Sequence, residues 1–353
     1  MKEKRLPAAA TYVLDPIADP RWADLVERHP LASVFHSPAY LSALQQTYGY
    51  QVMAITLSSP QETLTNGIVF ARVASRITGN RLVSLPFADH CEPLTEDAAQ
   101  TQQLAAVTRE AQNKRCRYIE LRPRILPDSV VAGFGASARY CLHTLDLTPD
   151  LKQVFGKFHA SCVQRRIRHA ERMNLDYQES RDESAVAAFY RLQILTRARH
   201  GVPPQPLKWF QNLRKHFGDR FLVHTVSLDQ QPLASMITLR QGNTLTYKYG
   251  ASDAKQNRLG GMVLLFWRAI QKAKIQGITQ MDLGRSDLDS TGLIEFKDHW
   301  GAKRSTLSYF RSPEPSPLES TESLRLNLAK KVFACTPAKL AELAGALLYK
   351  HAG

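Results

Sequence analysis

The stretch TLTYKYGASDAKQNRLGGMVLLFWRAIQKAKIQGITQMDLGRS, residues 244–286, sets the pattern for the whole chain. Residues 244–250 alternate in polarity, which predicts a strand. Residues 260–276 predict a helix, and Gly277 supplies its C-terminal stop. Residues 279–283 predict another strand. We therefore expect a strand, a helix and a strand in succession, with two glycines where the helix begins.

The same order of elements occurs twice along the chain. The second half predicts a strand, two helices, three strands, a helix, a strand, a short helix and a strand. The first half predicts the same series, with its long helix at 95–114 and its short helix at 129–133. This repeat of architecture, without clear sequence identity, predicts two similar domains. The predicted units are an N-terminal domain at 10–148, a C-terminal domain at 149–311 and a C-terminal helical segment at 318–353.

Composition and charge define the broad class of the protein. Of its 353 residues, 44% are hydrophobic and 22% are charged, which is typical of globular proteins and excludes disordered or fibrous ones. Lysine and arginine number 46 against 32 acidic residues, for a formal net charge of +14. Such an excess indicates an anionic partner: nucleic acid, a phosphate-bearing substrate or an anionic membrane surface.

Cysteine usage and apolar runs indicate the compartment. The five cysteines are far apart and never form CxxC, which argues against a disulfide framework and favours a reducing compartment. Residues 1–14 do not have the pattern of a signal peptide. The longest apolar run, 259–267, is about half as long as a membrane span. We expect a cytoplasmic protein, with a peripheral position at the inner face of the membrane as an open alternative.

Seven short pieces of sequence carry a family resemblance. They are FHSPAYL at 35–41, LVSLPFAD at 82–89, RRIRHAER at 165–172, TRARHGVP at 196–203, YKYGAS at 247–252, DLGRS at 282–286 and GLIEFKDHWG at 292–301. With the repeated order of elements, they resemble two tandem GNAT acyltransferase domains. Such a pair occurs in the Fem family, which makes the interpeptide bridges of peptidoglycan. The resemblance is greater still to FemAB-like acetyltransferases of cell-envelope and exopolysaccharide systems.

The resemblance implies a fold and a reaction. The fold is α/β with mixed sheets, in which two long strands splay apart and the gap between them holds an acyl donor. The reaction is the transfer of an acyl or aminoacyl group to an amine of a cell-envelope or exopolysaccharide-related acceptor. No tightly bound cofactor is expected, and acyl-CoA or aminoacyl-tRNA would be a co-substrate. Residues 166–175 leave no room for the long helical hairpin of tRNA-using Fem enzymes, which argues against aminoacyl-tRNA.

Lys297 is the candidate catalytic residue. The resemblance places this lysine at the active site, where it stabilises the negative charge on the reacting carbonyl, and a fixed charge in a dry cleft lowers such a barrier. Apolar Phe296 and Trp300 flank it; the alternative is a solvated lysine beside Asp298. Further candidates for substrate binding within the quoted pieces are Arg199, Arg285 and Trp300.

A basic helix is predicted at 149–173, where the halves join. Arg165, Arg168 and Arg172 recur at helical spacing on one face. Because one guanidinium group donates two parallel hydrogen bonds to the oxygens of a phosphate, we take Arg165 and Arg168 as candidate substrate-binding residues. The alternative is a solubilising surface.

The start of the helix at 260–276 is the candidate donor site. Free backbone N–H groups at a helix start bind anions. In CoA-using GNAT proteins this loop reads Gln or Arg, two residues, Gly, one residue, then Gly or Ala, whereas QNRLGG at 256–261 is one residue out of register. Arg258, Gly260 and Gly261 are the candidates for holding a pyrophosphate; a plain helix cap is the alternative.

Several side chains with chemical potential remain. Tyr247 and Tyr249 alternate along a strand, so we expect both on one side, either lining a cleft or packing in the core. Asp89-His90-Cys91 suggests a nucleophile pair, but adjacent residues point apart. His159 and Cys162 have no metal-ligating partner nearby, and no metal is expected.

The basic surfaces predict a phosphate-bearing donor or a lipid-linked acceptor, and tRNA stays open as a partner. A C-terminal apolar stripe, flanked by lysine and arginine, either packs on the protein or lies on an anionic membrane, and we favour packing. The stripe consists of Leu324, Leu328, Val332, Leu340, Leu343, Leu347 and Leu348. The rival to an enzyme is a non-catalytic, basic RNA- or membrane-binding protein on a GNAT scaffold. Aromatic residues do not interleave with the basic runs, which argues against base stacking.

Overall fold

The computed structural model describes residues 10–110, 116–125, 133–314 and 337–352. The described strands are β1 Tyr12–Leu14, β2 Gln51–Thr56, β3 Ile68–Val73, β4 Arg81–Val83, β5 Tyr118–Leu121, β6 Gly135–Asp146, β7 Asp176–Ser180, β8 Phe221–Leu228, β9 Gln231–Gln241, β10 Thr244–Ser252, β11 Gln280–Asp287 and β12 Lys303–Ser312. The described α-helices are α1 Pro20–Arg28, α2 Pro38–Tyr48, α3 Ala98–Glu110, α4 Leu151–Gly156, α5 Arg165–Glu171, α6 Glu183–Arg199, α7 Leu207–Phe217, α8 Gly261–Ile275, α9 Thr291–His299 and α10 Ala338–Ala352.

The order of the strands is symmetrical between the two halves. All twelve described strands join in one sheet, in the order β1-β2-β3-β4-β5-β12-β6-β11-β10-β9-β8-β7. Read from either end, the series is five strands of one half followed by the last strand of the other. β12 pairs with β5 and β6, and β6 also pairs with β11. The halves therefore exchange their last strands at the middle of the sheet.

The sheet is mixed. β4 pairs with β5 and β10 with β11 in parallel, and the other described pairs are antiparallel. Each parallel pair needs a long crossover, which α3 and α8 supply. The α/β class and the repeated order of elements are confirmed. The limits 10–148 and 149–311 stay a prediction, and most of the predicted helix at 129–133 lies outside the described residues.

Apolar side chains cover both faces of the sheet. On one face, Trp22 and Tyr40 of the first half join Trp209 of the second in a cluster that we call the shared core. On the other face of the second half, Trp267 and Trp300 belong to a cluster around α8, the α8 core. Because the shared core draws helices from both halves, burial of its apolar surface stabilises the two halves together.

The C-terminal helix α10 contacts the body along one side only. Tyr349 Oη donates to the carbonyl of Pro203 over 3.1 Å, and its backbone carbonyl accepts from Tyr50 Oη over 3.0 Å. The helix therefore packs on the body, but through this side and not through the predicted leucine stripe, so the expectation that the stripe packs is wrong for its described residues. The other side presents exposed leucines, at positions 340, 343, 347 and 348. The rest of the predicted stripe, at 324, 328 and 332, lies outside the described residues.

Candidate active site

A gap between β10 and β11 is the central feature of the second half. The strands pair at three positions, ending with Thr246 beside Asp282, and then separate. Two irregularities follow. Lys248 is an extra residue in β10, where the register with β9 shifts, and β11 turns at Gly284 with φ +71°. The separation leaves backbone groups of both strands unpaired with each other, as the GNAT resemblance implies for a donor site.

The bulge at Lys248 sends the neighbouring tyrosines to opposite faces. Tyr247 packs on Phe266 in the α8 core, with ring centroids 4.7 Å apart. Tyr249 packs against the shared core, and its Oη accepts a hydrogen bond from Trp209 Nε1 over 2.7 Å. Burial raises the pKa of Tyr247 to about 12. The expectation that both tyrosines face one side is wrong, because one extra residue reverses the alternation of a strand.

Lys248 is a site residue that sequence reasoning missed. Its Nζ donates to the carbonyl of Phe87 over 2.7 Å and to Asp89 Oδ2 over 3.2 Å. The ammonium also lies 4.8 Å from the centre of the Phe35 ring. Burial lowers the pKa of Lys248, although Asp89 opposes the effect. Three first-half residues therefore surround a second-half lysine, and no local pattern in the sequence announces that.

Lys297 lies on α9 and is 2% exposed, so the alternative of a solvated lysine is wrong. Its Nζ donates to the carbonyls of Gly284 and Arg285, at 2.8 and 3.1 Å, and to Ser286 Oγ at 2.9 Å. Asp298 instead pairs with other groups, His143 and Arg304. Burial lowers the pKa of Lys297 to about 8 against the pull of nearby carboxylates, so it is mostly charged at neutral pH. All three of its hydrogen-bond partners are neutral, so none of them cancels this charge.

Arg285 and Asp89 meet at the mouth of the gap. Asp89 comes from the first half, and a Cβ at Gly284 would lie 3.2 Å from its Oδ2, so glycine makes room for this carboxylate. Arg285 stacks 4.0 Å from the centre of the Tyr140 ring and lies 3.9 Å from Asp89 Oδ1. Its Nη1 is a buried donor without a hydrogen-bond partner among the residues that the structure describes. This orphaned donor suits an anionic or carbonyl oxygen of a substrate.

A buried ion cluster joins the halves behind the gap. His90 Nδ1 lies 3.1 Å from Glu92 Oε2, and its Nε2 lies 2.9 Å from Asp282 Oδ2. Burial alone would lower the pKa of His90, but the two carboxylates outweigh it and raise the pKa to about 9. The ring is thus an imidazolium at neutral pH, held between acids of both halves.

Cys91 does not form a nucleophile pair with its neighbour His90. Its Sγ lies 3.4 Å from the Nε2 of His36, whose pKa burial lowers to about 4. Burial raises the pKa of the Cys91 thiol well above its ordinary value. A protonated thiol in this setting is a poor nucleophile, which confirms the sequence-based rejection.

The start of α8 is tightly packed and positively charged. A Cβ at Gly260 would lie 3.1 Å from the Cβ of Ala170 on α5, and Gly260 provides no side-chain cap. Arg166 Nη2 donates to the carbonyl of Asn257 over 3.1 Å, which holds α5 against this turn. Exposed Arg258 lies in the same turn. The residue of α5 that contacts the turn before α8 is therefore Arg166, and not Arg165 or Arg168, which the sequence predicted.

The other predicted binding residues do not converge on the gap. On α5, Ile167 is buried, whereas Arg165 and Arg168 are exposed, and Arg168 lies over the Phe155 ring at 5.7 Å. Arg199 is exposed at the end of α6. Trp300 is fully buried in the α8 core and supports α9 from within.

A cavity of about 540 Å³ lies beside the ion cluster. The first half contributes Glu92, Pro93 and Arg124 to its wall, and the exchanged strands contribute Leu142 and Lys303. Glu92 also binds Arg124, whose Nε lies 2.6 Å from its Oε1. The cavity thus has an apolar body with a few charged groups, as small-molecule sites commonly do.

Comparison with known proteins agrees with this geometry. The family model described as acetyltransferase (GNAT) domain matches residues 158–298, whereas no curated protein gives a significant match. The crystal structure of FemX aligns with a TM-score of 0.67 at 12% identity, over 84% of this chain and 96% of that one. The C-terminal domain of a putative lysylphosphatidylglycerol synthetase from Agrobacterium fabrum aligns at 0.57 and 15%, over 87% and 93%. A tandem GNAT protein from the clavulanic acid biosynthesis pathway aligns at 0.53 and 10%, over 87% and 100%.

At these identities the structural likeness shows the fold, and the matched domain supplies the class. The second half is a GNAT domain, and the whole chain has the tandem arrangement found in the aligned structures. The chain therefore contains an acetyltransferase (GNAT) domain at residues 158–298, within a fold that also occurs in FemX. Among the described helices, none is long and apolar enough to cross a membrane.

Proposed function

We propose that the protein is an N-acyltransferase whose single active site is the β10–β11 gap of the second half. The observation that carries the proposal is Lys297, a buried charge bonded only to neutral groups at the bend of β11. Arg285, with its orphaned Nη1, stands at the same bend. Positive charge fixed beside a gap with unpaired backbone groups is the arrangement that stabilises an oxyanion.

The proposed donor is an acyl-CoA thioester. The uncapped start of α8 offers backbone N–H groups to a pyrophosphate, and Arg166 and Arg258 add positive charge beside it. The acyl chain would then follow the gap toward Lys297. The chain passes from α5 to β7 without an intervening hairpin, which supports acyl-CoA over aminoacyl-tRNA.

The reaction then proceeds by direct attack. The acceptor amine forms a C–N bond at the thioester carbonyl, the C–S bond breaks, and the amine proton passes to the leaving thiolate through the substrate or a water chain. Backbone N–H groups in the gap bind the oxyanion. Lys297 acts on it through its field while its three hydrogen bonds keep β11 bent, so its charge is already in place when negative charge develops.

The acceptor proposed is an amine of a cell-envelope or exopolysaccharide precursor that carries phosphate. The cavity beside the ion cluster is the acceptor site we propose, because its carboxylates Glu96 and Asp97 suit the acceptor amine and Lys303 at its border suits the phosphate. Two structures with the same fold bear the names FemX and putative lysylphosphatidylglycerol synthetase, which supports an envelope-related acceptor.

The test begins with the donor. The full-length chain is screened with acyl-CoA thioesters and with aminoacyl-tRNAs, each against a panel of amines, and release of free thiol or tRNA is measured. Native mass spectrometry of the purified protein checks for a retained ligand. We expect turnover with an acyl-CoA. If neither donor is bound or consumed, the proposal fails and the non-catalytic basic binding protein becomes the better explanation.

We also propose that α10 docks on an anionic membrane surface. Leu343 and Leu347 are 63% and 62% exposed on its outer side, and Lys350 is exposed nearby. An apolar stripe beside basic residues binds anionic lipid. In flotation with anionic vesicles, the change of Leu343 and Leu347 to Ser should abolish binding while leaving the fold intact. Equal flotation of the wild type with zwitterionic and anionic vesicles, or of the variant and the wild type, would contradict a lipid-docking role.

A further inference from the structure

Three side chains of the kinds that bind metal ions, from two separate segments of the second half, meet beside α9. His159 caps a π-helical turn, Ala160–Gln164, that contains Cys162, and His299 ends α9. One ligand atom of each residue lies within 4.8 Å of the others. The sequence-based statement that His159 and Cys162 lack a partner is therefore wrong, because the partner comes from a distant helix.

The backbone around this cluster is unusual. The predicted helix at 149–173 is broken into α4, the π-helical turn and α5. The backbone N–H of His159 donates to the carbonyl of His299 over 2.8 Å, and the two imidazole rings lie 4.6 Å apart. Wide helical turns of this kind are rare and occur often at functional sites. The turn and this hydrogen bond bring the three side chains together.

We propose that His159, Cys162 and His299 bind one Zn²⁺ ion, with a fourth position open to water. Imidazole and thiolate are the ligands that zinc prefers. Around a tetrahedral zinc ion, such ligand atoms lie about 3.3–3.6 Å apart, so the side chains need to close by roughly 1 Å. His159 is exposed and the other two are half-buried, so an ion enters from solvent.

Zinc binding requires one proton shift. His159 Nδ1 accepts a hydrogen bond from the N–H of Cys162 over 3.1 Å, which places the proton of the neutral ring on Nε2. When Nε2 binds zinc, its proton moves to Nδ1, the hydrogen bond from the Cys162 N–H to Nδ1 is lost, and Nδ1–H donates to Ser161 Oγ, 3.3 Å away. Hydrogen bonding at the second nitrogen orients a metal-bound histidine. Cys162 loses its thiol proton to solvent and binds as thiolate.

The ion ties the connection between the halves to the end of α9. The π-helical turn leads directly into α5, whose Arg166 borders the start of α8, while α9 carries Lys297. Zinc therefore stiffens the frame of the proposed donor site without entering the gap. This inference concerns residues outside the gap, so it stands or falls independently of the proposed acyltransfer.

Titration of the chelator-treated, full-length protein with Co²⁺ tests the proposal. Thiolate bound to cobalt gives a charge-transfer absorption band, and competition with Zn²⁺ gives the zinc affinity. We expect the band in the wild type and its loss in Cys162→Ser. His159→Ala and His299→Ala should weaken zinc binding at least about tenfold. Cys116→Ser and His200→Ala, which change a cysteine and a histidine elsewhere, are matched controls and should bind as the wild type.

Two further measurements keep the result decisive. Zn²⁺ should raise the melting midpoint of the wild type and leave that of Cys162→Ser unchanged. Should His299→Ala fail to fold, His299→Gln takes its place, and circular dichroism checks each variant. A wild-type titration without the charge-transfer band overturns the proposal, as does equal zinc affinity in the wild type and Cys162→Ser.

Discussion

The two halves share one framework but differ where the acyl donor is expected. Asp282 is the last residue of β11 that pairs with β10, and Gly284 follows two positions later. Glu120 is the last residue of β5 that pairs with β4, and Arg122 follows two positions later. Arg122 donates to Glu120 Oε1 over 2.7 Å and to the carbonyl of Leu85 over 2.8 Å. In the first half, the side chain of Arg122 thus fills the space that the second half leaves open at Gly284.

The start of α3 in the first half is occupied by side chains, whereas the start of α8 in the second half has no side-chain cap. Asp97 Oδ1 accepts from the backbone N–H of Gln100 over 2.8 Å, and Glu96 stands beside it, so carboxylates occupy the start of α3. The start of α8 has Gly260, no side-chain cap and neighbouring arginines. An anion is repelled at the first site and attracted at the second. The comparison teaches that one half supplies the proposed donor site, while the other supplies a loop with Asp89 and His90.

The largest expected effect is at Lys297. Lys297→Ala should lower turnover at least about a hundredfold, because a fixed charge beside an oxyanion contributes roughly 3–4 kcal/mol. Lys297→Arg should not restore full activity, since a planar fork does not fit the space of an ammonium. Steady-state kinetics with the donor found above, and with exposed Lys272→Ala as control, measures this. Wild-type turnover in Lys297→Ala would mean that backbone groups alone hold the oxyanion.

The second-largest effect is expected at His90, whose ion pairs with Glu92 and Asp282 join the two halves. The pKa of His90 is raised from 6.5 to about 9, so its contribution to stability is complete below pH 6.5 and is lost as pH rises through 9. His90→Gln should therefore cost stability at pH 6, and the difference from wild type should shrink by about 3 kcal/mol by pH 9 to 10. Urea unfolding at several pH values measures it.

His36→Gln is the matched control for His90. The pKa of His36 is lowered to about 4, so this buried ring is neutral throughout the same range. In the unfolded chain His36 is partly protonated near pH 6, so the loss of stability in His36→Gln should vary by less than about 1 kcal/mol between pH 6 and 9 and should grow, not shrink, as pH rises. A loss in His90→Gln that does not shrink with rising pH would show that His90 is not an imidazolium in the folded protein.

Gly284→Ala should have a smaller effect, in two measurable quantities. At φ +71° a Cβ is strained by about 1–2 kcal/mol, and here it would also press on Asp89. We expect that loss of unfolding free energy together with a several-fold higher KM for the donor. Gly277→Ala, at φ +72° with nothing within 4 Å, should lose similar stability and keep the wild-type KM. Equal KM values in Gly284→Ala and Gly277→Ala would show that Gly284 does not contribute to donor binding.

The smallest effect concerns the charges at the start of α8. Arg166→Ser and Arg258→Ser should each raise the donor KM a few-fold and leave turnover unchanged. The effect is small because each arginine is exposed and screened by solvent, so its contact with the donor contributes at most about 1 kcal/mol to binding. Arg165→Ser, on the outward side of α5, should change it less. The effect should fade at high salt. If Arg165 matters more than Arg166, the donor lies along the outer face of α5 instead.

Much of this organisation was predictable from periodicity and local chemistry. Alternating and helical patterns gave the repeated order of elements, and Gly260 and Gly277 marked the ends of α8. Phe296 and Trp300 indicated that Lys297 is buried. These features are local: a side chain's spacing along one element decides which face it occupies, and a nearby residue caps or ends that element.

The tertiary structure alone decided the rest, because it depends on which distant segments meet. The exchange of β6 and β12 follows from strand pairing, and alternation along a strand says nothing about its partner. One extra residue, Lys248, reversed the face of Tyr249, and such a bulge is set by the neighbouring strand. The charge of His90 depends on Asp282, an acid of the other half. A sequence names the groups that ionise, but their protonation depends on the partners that folding brings within hydrogen-bonding distance.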